Sequence, residues 1–224
     1  MPFAAPPEKF RLTPTRTRLP AGTELWRVHK RRRPAEQFNA TDSDVIWGGG
    51  RFDGTERCSY PYLYAAFQQT TAVTEALLRS MQFDGGRSRT LSRTAVDGRR
   101  LSAVTLTGDV TLLSLTSTPA LAGVAQDEWL VHAEPTFYGQ TRDWAHWIRD
   151  RAPWAQGLIW PSKRDLGRDA VLLFGDRCGD VLTPEPGRCI DLDDELGRIW
   201  LNTALADYRI CVNRSRRGPK DRLN

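Results

Sequence analysis

The apolar residues of this chain arrive in short blocks. YPYLYAA at 60–66, GLIWP at 157–161 and AVLLF at 170–174 are each a handful of residues long and bounded by glycine, proline or charge. Blocks of that length, rich in β-branched and aromatic side chains, read as strands of a buried sheet. None approaches the roughly 20 apolar residues that span a bilayer. Strict alternation marks a further strand at Glu24–His29, with Leu25, Arg27 and His29 on one face and Trp26 and Val28 on the other. An arginine on the inward face of a strand is unusual. Two more β segments, 101–107 and 110–115, flank a turn at Gly108-Asp109.

Helical spacing is confined to three stretches. Residues 71–81 form the first, with Thr70 or Thr71 as the cap, Ala72, Ala76 and Arg79 on one face, and Val73, Leu77 and Leu78 on another. Glu75 lies near its start, where the helix dipole favours a carboxylate. Residues 141–151 carry Trp144, Trp147 and Ile148 at helical spacing, and 196–208 are amphipathic. Between strand and helix signals lie polar stretches, and 85–100, which carries several arginines, reads as a loop. Alternating signals of this kind predict one α+β domain.

Composition narrows function less than fold. Forty per cent hydrophobic residues and eight tryptophans argue against a disordered chain. The net charge is +5, and of the 32 basic residues only Lys9, Lys30, Lys163 and Lys220 are lysines. A skew spread over the whole sequence permits an anionic partner without demanding one. Cys58, Cys178, Cys189 and Cys211 form no CxxC pair and lie far from the three histidines, so reduced thiols and no metal are expected. The amino terminus lacks the apolar core of a secretory signal, which predicts a cytoplasmic protein.

Gly48-Gly49-Gly50-Arg51 frees the backbone to approach a ligand, yet fits neither the dinucleotide fingerprint nor the P-loop. The basic run 30–33 reads as a solvated turn, and the run at 214–224 as a basic tail. Those two runs support a nucleic-acid-binding alternative, which lacks an aromatic platform.

ELWRVH at 24–29, GGGRFDG at 48–54, LYAAFQQTTAVTEALLR at 63–79, GLIWPSKRD at 157–165 and AVLLF at 170–174 follow one another in that order. Together they resemble the RES domain family. The resemblance implies a fold similar to that of ADP-ribosyltransferase toxins, with a twisted mixed β-sheet and flanking helices. It implies NAD⁺ as substrate rather than cofactor, cleaved at the nicotinamide–ribose bond by water or by inorganic phosphate. It also implies an antitoxin partner with a helical DNA-binding domain. The family's arginine, glutamate and serine correspond to Arg51, Glu75 and Ser162 as catalytic residues. Arg27, Arg51, Tyr64 and Ser162 correspond to its NAD⁺-binding positions, with Ser162 expected to donate to substrate. Transfer of ADP-ribose to a macromolecule is the alternative enzymatic outcome. Tyr138 and Gln140 resemble a helix start lining the family's pocket, whereas His29, His132 and His146 read as structural or exposed. The organisation expected is an extended arm at 1–22, a catalytic core at 23–175, an extension at 176–212 packed on that core, and the tail at 213–224. The extensions leave homo-oligomerisation open.

Overall fold

The structure is a computed structural model that describes residues 5–44, 48–79, 81 and 89–212. Its strands are β1 (Arg16–Leu19), β2 (Glu24–Lys30), β3 (Tyr62–Ala66), β4 (Arg89–Leu91), β5 (Arg99–Leu106), β6 (Val110–Ser114), β7 (Gly157–Pro161), β8 (Asp169–Phe174), β9 (Leu182–Asp191) and β10 (Ile210–Val212). The helices are α1 (Gln69–Leu77), α2 (Arg93–Val96), α3 (Thr118–Ala122), α4 (Trp129–His132), α5 (Tyr138–Arg151), α6 (Gly175–Cys178) and α7 (Glu195–Ala204). None of the described helices is long and apolar enough to cross a membrane.

Eight strands form one mixed sheet in the order β1-β6-β7-β8-β3-β2-β5-β9, antiparallel throughout except for the β6–β7 pair. Residues 107–109 join β5 to β6, which stand five places apart in that order. A link that short spans at most roughly 13 Å. The sheet therefore curls until its two ends approach each other. Leu25, Leu63, Val104, Val110, Leu112, Val171 and Leu173 fill the concave interior.

The convex face carries two further cores. Helices α3, α4 and α5 pack Leu121, Leu130, Trp144 and Ile148 against Trp160, Leu172 and Phe174. Helices α1 and α7 pack Val73, Leu78, Leu201 and Leu205 against Trp26, Leu101 and Ala103. AVLLF reads as a continuous apolar run because β8 is covered on both sides: Leu172 and Phe174 face the helices, Val171 and Leu173 the interior.

Several elements differ from the sequence expectation. α1 starts at Gln69, and its N-cap Gln68 makes no side-chain cap bond. Neither threonine caps it; the Thr71 hydroxyl donates to Asp165 at 2.6 Å instead. The loop expected at 85–100 contains β4 and α2, anchored by Leu91 and Val96 within otherwise polar sequence. β1 lies in the segment read as an arm, and β9, in the segment read as an extension, is a strand of the main sheet. Residues 1–4, 80, 85–88 and the basic tail at 213–224 lie outside the described residues.

Candidate active site

β2 and β3 are neighbours in the sheet, yet their register holds one pair, Trp26 with Ala66. Beyond it the strands splay, and α1 covers the opening. The resulting cleft of about 580 Å³ is lined by Arg27, His29 and Lys30 from β2 and by Tyr62 and Tyr64 from β3. Glu75 and Ala76 from α1 and Arg79 from the turn after it complete its wall, with Gly49, Gly50 and Asp53 beside them. The helix expected to reach residue 81 ends at Leu77.

Arg27 is buried and donates through Nη1 to the carbonyls of Ala35 (2.7 Å) and Gln37 (2.8 Å). Its Nε has no partner. Burial lowers its pKa to about 10, which leaves it charged at neutral pH. Arg51 is buried as well. Its Nη2 makes one long bond, 3.4 Å, to the Ala133 carbonyl, and its Nε is also unpaired. The Arg51 guanidinium lies 5.4 Å from the Tyr138 ring centre, while Gln140 is exposed. Buried cations with orphaned donors are under-satisfied and suit an anion.

Ser162 is fully buried at the end of β7, and its Oγ donates to Glu75 Oε1 at 2.6 Å. The same oxygen accepts the amides of Arg164 (3.3 Å) and Asp165 (3.1 Å). A hydroxyl has one proton, so the expected bond from Ser162 to substrate is replaced by one to the carboxylate. Ser162 orients Glu75. Arg51 and Ser162 are not among the side chains lining the cleft, but both adjoin it: Ser162 through Glu75, and Arg51 through the Phe52 amide, which donates to the Tyr64 hydroxyl at 2.9 Å. His132 falls below its usual pKa through burial first and the Arg51 cation second, with Glu75 opposing, so Arg51 and Glu75 both act on one imidazole.

Residues the sequence reading did not single out hold the glycine segment in place. Asp53 accepts the Gly50 amide (2.6 Å) and the hydroxyls of Ser43 (2.6 Å), Tyr64 (2.8 Å) and Tyr62 (3.0 Å). Burial and then the Asp53 charge raise both tyrosine pKa values, which keeps the two hydroxyls protonated as donors. Arg142 of α5, fully buried, spreads its guanidinium over the carbonyls of Gly50 (2.9 Å), Asp44 and Gly48. Arg79 donates to the carbonyls of Glu75 (2.9 Å) and Gly49 (3.3 Å) and lies 5.5 Å from the Tyr64 ring centre. The available sequence signal was Arg142 itself, a charge within the helical stretch that carries Trp144, Trp147 and Ile148. Among the described residues no group of three or more His, Cys, Asp or Glu side chains could hold a metal.

A family model of the RES domain matches residues 24–193. The chain belongs to the RES domain family. Among solved structures, this RES protein is similar to a chain of the M. tuberculosis MbcT–MbcA toxin–antitoxin complex. The TM-score is 0.54 at 16% identity, over 81% of this chain and 90% of that one. At such low identity the likeness speaks for the fold alone: the α+β domain with a twisted mixed sheet and flanking helices that the sequence predicts. No curated protein matches. Of the three residues that the sequence resemblance assigns, Glu75 lines the cleft and is hydrogen-bonded by Ser162 from the end of β7, whereas Arg51, from the glycine segment, is buried outside the lining.

Proposed function

We propose that this RES protein cleaves the nicotinamide–ribose bond of NAD⁺ and acts as the toxin of a toxin–antitoxin pair. The observation that carries the reading is a half-buried carboxylate, Glu75, oriented by Ser162 on the wall of a cleft that also holds a buried arginine with an unpaired donor. Loss of nicotinamide develops positive charge at the anomeric carbon and ring oxygen. Glu75 stabilises that charge through the oxygen that Ser162 leaves free, and Arg27 and Arg79 grip the diphosphate as planar forks. Arg51, buried outside the cleft lining, adds positive potential. Arg79 already occupies one face of the Tyr64 ring, which makes Tyr64 a fixed wall of the site rather than a free stacking surface. The solved complex of a similar fold supports an antitoxin partner.

Purified protein incubated with NAD⁺ should release nicotinamide. Glu75→Gln keeps a hydrogen-bond acceptor for Ser162 but removes the charge, and should lower the rate by about two orders of magnitude. Undiminished turnover by that variant would sink the mechanism. Adenylate-labelled NAD⁺ separates the two enzymatic readings, because cleavage leaves the label in free nucleotide and transfer places it on a macromolecule.

A further inference from the structure

The cations where β2 meets β5 fall into two sets. Arg31 pairs with Asp193 at 3.0 Å and Asp191 at 3.6 Å, and Arg100 pairs with Asp191 at 2.6 Å. Lys30 and Arg99, their immediate neighbours, are register partners across the two strands, so both side chains leave the same face of the sheet. Neither forms an ion pair among the described residues, and neither does Arg32. Like charges directly opposite on adjacent strands destabilise a sheet. Asp191 and Asp193 form ion pairs only with the other set among the described residues.

Lys30, Arg32 and Arg99 line the same cleft as Arg27 and Arg79. Arg99 sits below its usual pKa, through burial and then the nearby Arg79 cation, so the inner and outer cations share one field. Two forks match the two charges of a dinucleotide's diphosphate. The outer three have nothing left to bind on such a substrate. Lys30 and Arg99 leave the face of the sheet opposite to Arg27, so their charges enter the cleft apart from that inner fork. A cleft of about 580 Å³ admits a small ligand and lacks the extended groove of a nucleic-acid site.

On the reading of the cleft as a dinucleotide site, we propose that Lys30, Arg32 and Arg99 form a second anion subsite. It holds a phosphomonoester on the substrate, so that the protein prefers nicotinamide dinucleotides carrying a ribose phosphate. A phosphomonoester brings nearly two charges at neutral pH and three acceptor oxygens, which two forks and an ammonium can satisfy together.

The test is equilibrium binding of NADP⁺ and NAD⁺ to the full chain carrying Glu75→Gln, which suppresses turnover. NADP⁺ should bind at least about tenfold more tightly at low salt. Adding Arg32→Gln and Arg99→Gln should bring the ratio to within about twofold, with Lys30→Gln alone giving an intermediate value. Since these changes relieve a like-charge pair, the melting temperature should not fall. Free inorganic phosphate should weaken NADP⁺ binding more than NAD⁺ binding, because it competes for the outer subsite. Equal affinities, or a preference that survives the double substitution, overturn the subsite even where NAD⁺ is cleaved. Binding of neither dinucleotide overturns the dinucleotide reading of the cleft, and the subsite with it.

Discussion

His29 shows how a single side chain on the cleft wall sets a pH limit on the fold. Its Nδ1 lies 3.0 Å from the Lys30 carbonyl, which can only accept, so that nitrogen carries the proton. Nε2 is then the acceptor for the Ser102 hydroxyl at 2.9 Å. Burial, followed by the Arg27 cation, pushes its pKa down to about 4. In the unfolded chain an imidazole titrates near 6.5. As pH falls through that value the unfolded state takes up a proton that the folded state refuses. The stability His29 contributes is complete above about 6.5 and lost progressively towards 4. The urea midpoint should decline across that window, and His29→Gln should flatten the decline without abolishing it, since His132 and His146 are also lowered by burial. An equal slope in the variant would exclude His29 as the source. Residue identity was legible from sequence at this scale and pairing was not. The resemblance assigns Glu75 and Ser162 separately, but the bond between them joins positions 87 apart and depends on where the residue after β7 meets α1.

At the scale of elements, the glycine segment illustrates the same division. Three glycines in a row showed that the backbone there needed freedom, and Gly48 and Gly49 do adopt positive φ, 72° and 64°. What fixes that freedom into one shape comes from elsewhere: Arg142 of α5, Arg79 of the turn after α1, and Asp53 of the same segment. No local pattern announces a guanidinium 92 residues downstream. Gly50 has an ordinary φ, so its requirement is space. A Cβ there would lie 2.5 Å from Asp53 Oδ1 and 2.6 Å from the Tyr64 hydroxyl, two atoms already bonded to each other. Gly50→Ala must part them. The expected outcome is a loss of about 1–3 kcal/mol in stability, with nicotinamide release falling at least about tenfold as Arg51 and Tyr64 shift. Thermal melts and single-turnover assays on one preparation check both. A variant with wild-type turnover would mean that the segment's shape is irrelevant to the chemistry.

For the whole molecule, the question is how far the working unit extends. The family match ends at residue 193, but the packing does not. Leu201 of α7, Leu205 at its C-cap, and Ile210 and Val212 of β10 are buried in the same core as Val73 of α1 and Leu78 at its C-cap. β10 pairs in parallel with β4, a pairing hidden from sequence because each strand is three residues long and partly polar. A polar link reinforces the apolar one. The Tyr208 hydroxyl donates to Asp165 Oδ1 at 2.7 Å, and Asp165 in turn accepts from Thr71 at the start of α1. The loop after Ser162, the helix that carries Glu75 and the segment beyond residue 193 are thus tied together. Burial of each large apolar side chain contributes about 1.5–3 kcal/mol, and four of them approach the whole stability of a domain, about 5–15 kcal/mol. Removing residues 194–224 should therefore abolish cooperative unfolding, seen as loss of a sharp thermal transition. Tyr208→Phe spares the core and breaks only the polar link. It should lower stability by about 1 kcal/mol and reduce kcat more than it raises KM, because it loosens the frame around Glu75 while leaving the arginine forks in place. A truncated chain that melts as sharply as the full one would show that the catalytic unit closes at residue 193, and that the contacts beyond it are incidental.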